Sequence, residues 1–330
     1  MQSGFFRLNL NNIIRDTMNQ EIVQIQANGY IAKINLSRGA NCISLRNEQY
    51  GAVILREPNY KKLDNPCVYG MPILYPNNRI SGGCFTFENR EYSFPINEPH
   101  LNNHIHGFLH ETPFVLMAQG ENYVVCEYKA TKEKPYSTFP HEFLVRISYY
   151  LDENGLSCDM GIFNESNENM PNLLGFHTTF NLPFLTGGDA LDVRVLTQVK
   201  DLVERNRQTH LPTGEISPDD EITNALCQGL FIPCGNTLSR QYFKKNKGKI
   251  ALTDTKRKIS VVYDVDEKFG YRLIYKDNTN EYLCIEPQTC IPNAPNSPFD
   301  RTFAGFDYIS PKQSKNYHMQ IYIKEELERE

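Results

Sequence analysis

Glu286 stands in the run Leu283-Cys284-Ile285-Glu286-Pro287-Gln288-Thr289, which leaves through Pro292-Asn293-Ala294-Pro295-Asn296. A carboxylate among apolar neighbours loses hydration, so it needs a partner or a task. The period of a strand places Leu283 and Ile285 on one face and Cys284 and Glu286 on the other. Two further segments offer partners. One is Pro76-Asn77-Asn78-Arg79-Ile80 with Ile105-His106-Gly107-Phe108. The other is Gly175-Phe176-His177-Thr178-Thr179-Phe180-Asn181-Leu182. Together they supply a carboxylate, two imidazoles that titrate near neutrality and a guanidinium with a fixed fork of donors. That set suits proton transfer at a neutral polyol such as a sugar.

Each residue also has a plainer reading. His177, a lone histidine in an apolar strand, is satisfied equally well by the hydroxyls of Thr178 and Thr179. Glu286 and Arg79 account for each other as an ion pair. His104 and His106 share a face if they lie on a strand, and with His110 they raise a metal site as an alternative. No Cys or acidic residue stands close enough to complete a recognisable ligand pattern, so metal is the weaker reading and His104 and His110 are expected at the surface. His106 differs, because Gly107 after it permits a close backbone approach. The sequence carries no GxGxxG, GxxxxGK[ST], GxSxG or HExxH motif.

The elements that must position these residues read as strands. Residues 21–26 and 30–36 flank Asn28-Gly29, a strong hairpin signal, and residues 143–151 and 156–163 flank a second turn ending at Gly155. Leu156, Cys158, Met160 and Ile162 alternate with polar residues and predict one buried face. Further strands are expected at 123–130, 190–196, 249–253, 258–263, 271–275, 282–286 and 317–324. Residues 214–236 are the least regular and predict a long surface loop or a short helix. Helical periodicity is nearly absent, so the pattern predicts antiparallel all-β packing.

Composition narrows the partners. The 330 residues hold 34 Lys plus Arg against 39 Asp plus Glu, a formal charge of -5, so nothing favours nucleic acid. No apolar run approaches the roughly 18 residues of a spanning helix, so no membrane partner is expected. The polar N-terminus lacks the apolar stretch of a signal peptide, and a cytoplasmic location is the default expectation. The nine scattered cysteines contain no CxxC pair and read as small buried apolar residues rather than a disulfide framework. The charged end of the chain reads as a solvated terminus.

In their order along the chain, several segments resemble the aldose 1-epimerases, also called galactose mutarotases. These are Gly70-Met71-Pro72-Ile73-Leu74-Tyr75-Pro76, Asn78-Arg79-Ile80, His106-Gly107, the stretch from Gly175 to Leu182, Leu211-Pro212-Thr213-Gly214-Glu215-Ile216, and Glu286-Pro287-Gln288-Thr289 with Pro292, Ala294 and Asn296. The resemblance implies a single domain over residues 1–330, a large antiparallel β-sandwich of the galactose mutarotase-like supersandwich type. It implies interconversion of the α and β anomers of a free aldose without a cofactor. By the resemblance Glu286 is the general base and His177 the general acid, with both ionised at the start and each stabilised by the other. His106, Asn78 and Arg79 match substrate-binding positions.

One departure stands out. The resemblance leads one to expect a substrate-binding Asp after the Leu-Pro-Thr-Gly segment, yet residues 237–246 contain none. Arg240 or Asn246 is expected in its place, and an inward-facing Arg240 would admit an acidic sugar. A sugar-binding protein without catalysis on the same scaffold is the alternative function. A third reading, an enzyme acting on phosphorylated sugars, lacks a basic cluster beside Arg79.

Overall fold

The structure is a computed structural model and describes residues 21–59, 65–245 and 248–325. The polar N-terminus, Asn246 and the last residues of the charged tail lie outside the described residues. Two eight-stranded antiparallel sheets dominate the described part. One runs Val115–Gln119, Tyr123–Ala130, Phe143–Asp152, Gly155–Asn164, Ser314–Glu325, Ile259–Val265, Ile250–Asp254 and Val193–Leu196 in spatial order. The other runs Pro212–Ser217, Val199–Arg205, Leu238–Lys244, Tyr271–Lys276, Tyr282–Gln288, Gly175–Phe176 and Ile73–Leu74, with Thr179–Asn181 also on Tyr282–Gln288. A four-stranded sheet is built from Ile22–Ala27, Tyr30–Asn35, Asn41–Asn47 and Ala52–Val53. This is the all-β, antiparallel architecture that the sequence pattern predicts.

Local sequence explains the hairpins. Asn28 and Gly29 have φ 49° and 80°, as a two-residue turn with left-handed backbone at both positions requires, and Ala27 pairs with Tyr30. Asp152 pairs with Gly155 across Glu153-Asn154, and the Asp152 carboxylate accepts the Asn154 N–H at 2.7 Å. Leu156, Cys158, Met160 and Ile162 are all buried, facing the alternate buried residues Val145, Ile147, Tyr149 and Leu151 of the neighbouring strand. The expected strand over 190–196 is shorter at its start. Asp189 accepts the Leu191 N–H and turns 190–192 into a 3-10 helix, and the strand begins at Val193. Residues 214–236 hold the end of one strand and an eight-residue helix, Glu221–Gln228, between the Asp220 cap and left-handed Gly229. Among the described residues no helix is long and apolar enough to cross a membrane.

The two large sheets face each other across an apolar layer. Phe176 packs edge-on to Phe269, Phe269 meets Tyr317, and Phe180 meets Tyr263. The Tyr263 hydroxyl and Thr178 Oγ1 share a hydrogen bond of 3.0 Å across the same layer. Six of the nine cysteines are buried and Cys84 alone is exposed, so most of them behave as small core residues. Leu283 and Ile285 point into the core. The other face of their strand carries Tyr282, Cys284, Glu286 and Gln288, and it too is buried, next to the loops around residues 70–79, 103–107 and 289–296.

These loops are joined by close backbone contacts. Gly107 forms a bridge with Tyr75 at φ 62°, and a Cβ there would sit 1.9 Å from the Tyr75 carbonyl oxygen. Gly51 has a similar φ of 60° but open space around it. Left-handed backbone alone costs an L-residue about 1–2 kcal/mol. Gly51→Ala is therefore expected to lower unfolding free energy by about 1–2 kcal/mol. Gly107→Ala adds a backbone clash and is expected to cost more than about 3 kcal/mol. Urea unfolding of both variants checks this, and equal losses would show that the Gly107 contact adds nothing to the strain.

Candidate functional site

Three chain segments meet over the covered face of Tyr282–Gln288. The first is 76–80. Asn78 has φ 52° and His106 φ 66°, and the His106 N–H donates to the Asn78 carbonyl at 2.8 Å. These two left-handed residues bracket the pairing of Arg79–Ser81 with Asn103–Ile105, and they turn the His106 ring out of the strand line. The second is 173–179. The His177 N–H donates to Pro72 O at 3.0 Å and the Ile285 N–H to Thr178 O at 2.9 Å, fixing the histidine beside the Glu286 strand. Gly175 pairs with Gln288 and Leu74, and a Cβ on it would lie 3.0 Å from the Asn77 Cβ, which explains a glycine at that crossing. The third is the loop after the strand. Asn77 Nδ2 donates to Cys290 O at 3.2 Å, the Asn293 N–H to Arg79 O at 2.7 Å, and the Ser81 N–H to Asn293 Oδ1 at 3.0 Å.

The result brings His177, Glu286 and His106 together. His177 Nε2 lies 3.3 Å from Glu286 Oε1, with both side chains almost completely buried. The rings of His106 and His177 stand edge to face, 5.5 Å between centres. Tyr275 packs edge-on to the other side of His177 at 6.3 Å. Gln288 Nε2 donates to Glu286 Oε2 at 3.1 Å. The hydroxyls of Thr178 and Thr179 do not satisfy the imidazole. Thr178 Oγ1 bonds with Tyr263, and Thr179 Oγ1 donates to the His177 backbone carbonyl. The Nδ1 atoms of His177 and His106 and Oε1 of Gln288 are buried without a protein partner. These unpaired polar atoms, gathered in one place, are groups that a polar ligand would satisfy.

Burial controls the electrostatics. It pushes the Glu286 carboxyl up to about 8, against the opposing pull of the Gln288 hydrogen bond and of the positive charges on Arg205 and Arg79. It pushes His177 down to about 4. His106 falls well below the ordinary histidine value, through burial and then through His177 and its other basic neighbours, and is a neutral imidazole. The sequence reading has mutual attraction keep Glu286 and His177 both charged; loss of hydration opposes this in each of them. Between about pH 4 and about pH 8 the pair holds one proton in all. An ion pair and a neutral pair contain the same proton count, so one proton lies ready to move between two groups 3.3 Å apart.

Several expectations change. Arg79 does not pair with Glu286. Its guanidinium grips Glu98 through two bonds of 2.8 Å. Burial raises Glu98, but the bonds from Arg79 and Asn103 outweigh it and hold that carboxyl below its usual value. The plain ion-pair account of Glu286 therefore loses its partner. Asn78 is buried and its Oδ1 accepts the Arg79 N–H at 3.0 Å. His104 is not a surface residue. It is fully buried, stacked on Phe94 at 4.9 Å and bonded through Nδ1 to Pro95 O at 2.7 Å, because it remains in the strand while His106 turns away. His110 is likewise mostly covered, lying against the His106 backbone. Arg240 turns from the site and pairs with Asp220 at 2.7 Å and the Tyr242 hydroxyl at 3.0 Å.

Of residues 237–246, Ser239, Gln241 and Phe243 alternate onto the site's face, and Gln241 lies level with Glu286. It pairs with Leu273, which pairs with Glu286, so the three share one side of the sheet. Arg205 reaches the same side and donates through Nη2 to the carbonyl and Oγ of Ser239. Neither was singled out in the sequence. Gln288 was legible in principle, two positions beyond Glu286 on the same face, whereas Gln241 and Arg205 required the register of neighbouring strands.

Comparison with known proteins agrees with this architecture. The sequence model of the aldose 1-epimerase family matches residues 21–321. Among solved structures, a galactose mutarotase-like protein of Clostridium acetobutylicum is 30% identical, superposes with a TM-score of 0.88 and aligns over 93% of this chain and 96% of its own. The galactose 1-epimerase of Lactobacillus acidophilus shares the fold at 15% identity, with a TM-score of 0.66 over 94% of this chain and 99% of its own. The uncharacterized protein YihR of Escherichia coli (strain K12) is 23% identical over 288 residues, 85% of this chain and 87% of that protein. With a galactose mutarotase-like fold and a family match along nearly its whole length, the chain belongs to the aldose 1-epimerase family.

Proposed function

We propose that the protein interconverts the α and β anomers of a free aldose by general acid–base catalysis, with Glu286 and His177 as the catalytic pair. The observation that carries this reading is the buried contact of 3.3 Å between their side chains, with His106 edge-on to the pair. Ring opening removes the proton from the anomeric hydroxyl and delivers one to the ring oxygen as the C1–O5 bond breaks. Rotation about C1–C2 and the reverse transfer close the ring on its other face. The proton count is unchanged and no electrons are gained or lost, so one acid and one base suffice.

Glu286 takes the hydroxyl proton in its ionised form, and His177 in its protonated form supplies the ring oxygen. Burial makes neither charge comfortable, so each step that neutralises one relieves its desolvation. Gln288 fixes the second carboxylate oxygen and orients Glu286. His106, neutral and adjacent, is suited to hydrogen bonding near the ring oxygen rather than to proton release. Arg79, locked to Glu98, presents a rigid edge beside Asn78 for sugar hydroxyls.

The direct test follows the optical rotation of fresh α-galactose and α-glucose. Faster approach to anomeric equilibrium than in buffer is expected. Rates equal to buffer across a broad aldose panel would leave the sugar-binding reading in its place.

Glu286→Gln keeps shape and removes the base, so turnover is expected to fall ~100-fold or more while the variant stays folded. Near-normal turnover by polarimetry would remove Glu286 from the mechanism.

The pH dependence has a definite sign. Below about pH 4 the pair gains a second proton and lacks a base; above about pH 8 it loses its only proton and lacks an acid. A bell-shaped kcat/KM profile with limbs near those values is expected. A rate that keeps climbing well above pH 8 would contradict the one-proton pair.

A further inference from the structure

The site is electrically uneven. Arg79 is balanced by Glu98, and the Glu286–His177 pair with its one proton is neutral overall. His106 and His210 are both pushed down, first by burial and then by positive neighbours, Arg79 among them. Arg205 remains. Burial depresses its guanidinium to about 10 and Arg79 adds to the effect, while the charges of Glu286 and Glu204 oppose it. Among the described residues no carboxylate forms an ion pair with it; its Nη2 bonds only to Ser239, an uncharged residue. Glu204, next in sequence, belongs to the other face of the strand, where the Ser217 hydroxyl donates to it.

Gln241 supplies a second, independent observation. It is fully buried, and neither Nε2 nor Oε1 has a partner. A buried primary amide with both ends unpaired carries the desolvation cost of two hydrogen bonds, which a ligand hydroxyl relieves by accepting one and donating the other. The register Gln241–Leu273–Glu286 sets it two strands from the catalytic carboxylate, roughly 10 Å between backbones. Ser239, which anchors Arg205, pairs with Tyr275, whose ring packs against His177. Gln241 and Arg205 therefore lie on the same face of the sheet as Glu286, two and three strands away from it.

We propose that Arg205 and Gln241 form the end of the site that receives the sugar carbons remote from the anomeric centre, and that Arg205 selects an aldose bearing an anionic group there, such as a carboxylate. The inference rests on the sugar site proposed above. Arg240, the cation that the sequence offered for this task, is on the wrong face and already paired. Arg205 has the planar fork that matches a carboxylate with two parallel hydrogen bonds. Gln241 then contacts a neighbouring hydroxyl and fixes the sugar's register.

The test compares galacturonate with galactose, which differ only in a carboxylate at C6. Mutarotation kinetics and calorimetric binding are measured on the full chain, with the wild type and with Arg205→Gln. The wild type is expected to favour galacturonate in kcat/KM roughly 10- to 100-fold, as for a hydrogen bond between charged groups. Arg205→Gln is expected to bring the ratio close to one, and Arg205→Lys to retain part of it. Equal or better use of galactose by the wild type, or a preference that survives Arg205→Gln, overturns the proposal. If neither sugar is turned over, the isotherms decide. Tighter galacturonate binding that is lost in Arg205→Gln supports the anion site, and indifference or no binding overturns it. Should Arg205→Gln not fold, Ser239→Ala, which removes the anchoring hydroxyl, is expected to lower the ratio, and an unchanged ratio overturns the assignment.

Discussion

The burial of one carboxyl group in the middle of a sheet is the constraint around which the molecule is arranged. Glu286 is only 1% exposed, on a strand whose seven residues are all buried. Such a group is costly to keep in any ionisation state without hydrogen bonds. Gln288 meets one oxygen and His177 faces the other. The loss of hydration that makes the group costly also moves its proton affinity toward neutrality, as a catalyst working near pH 7 requires. Replacing this pair with apolar residues would remove a buried ionisable site that contributes little to stability by itself.

Holding that pair in register falls to the backbone rather than to the sandwich core. Asn77 ties segment 76–80 to Cys290, Asn293 ties it to the loop after Glu286, and Gly107 lets 105–108 lie directly against Tyr75. Left-handed residues at Asn78 and His106 aim side chains where regular strands would not. Such positions persist because the surrounding contacts over-determine them, and they cluster here at the site as functional strain commonly does. The facing sheet serves as a rigid base, joined through Phe176, Phe180, Tyr263 and Phe269.

Charge balance divides the site into two ends. At one end the Glu286–His177 pair, neutral overall, meets a neutral His106. At the other, Arg205 forms no ion pair with a carboxylate among the described residues and stands on the same face as the unpaired amide of Gln241. In the proposed reaction the first end serves chemistry that any aldose shares, because every such sugar has an anomeric hydroxyl and a ring oxygen. On the same proposal the second end would meet carbons that differ between sugars, and discrimination would reside there.

The sequence by itself determined the strand-rich, antiparallel class, because alternation in 156–163 and Asn28-Gly29 are local signals. It also determined the opposite facing of Ile285 and Glu286, since a period of two needs no tertiary information. It singled out Glu286, His177, His106, Asn78 and Arg79, whose types and surroundings are unusual for a solvated surface or an apolar core. Tertiary structure alone decided the partners. Arg79 went to Glu98 rather than Glu286, and His104 went into the core while His106 turned out. Arg240 faced away while Gln241 and Arg205 faced inward. Each of these depends on which residue of one strand lies opposite which residue of another. A shift of one position reverses every side chain, and that register is set by packing between segments far apart in the chain.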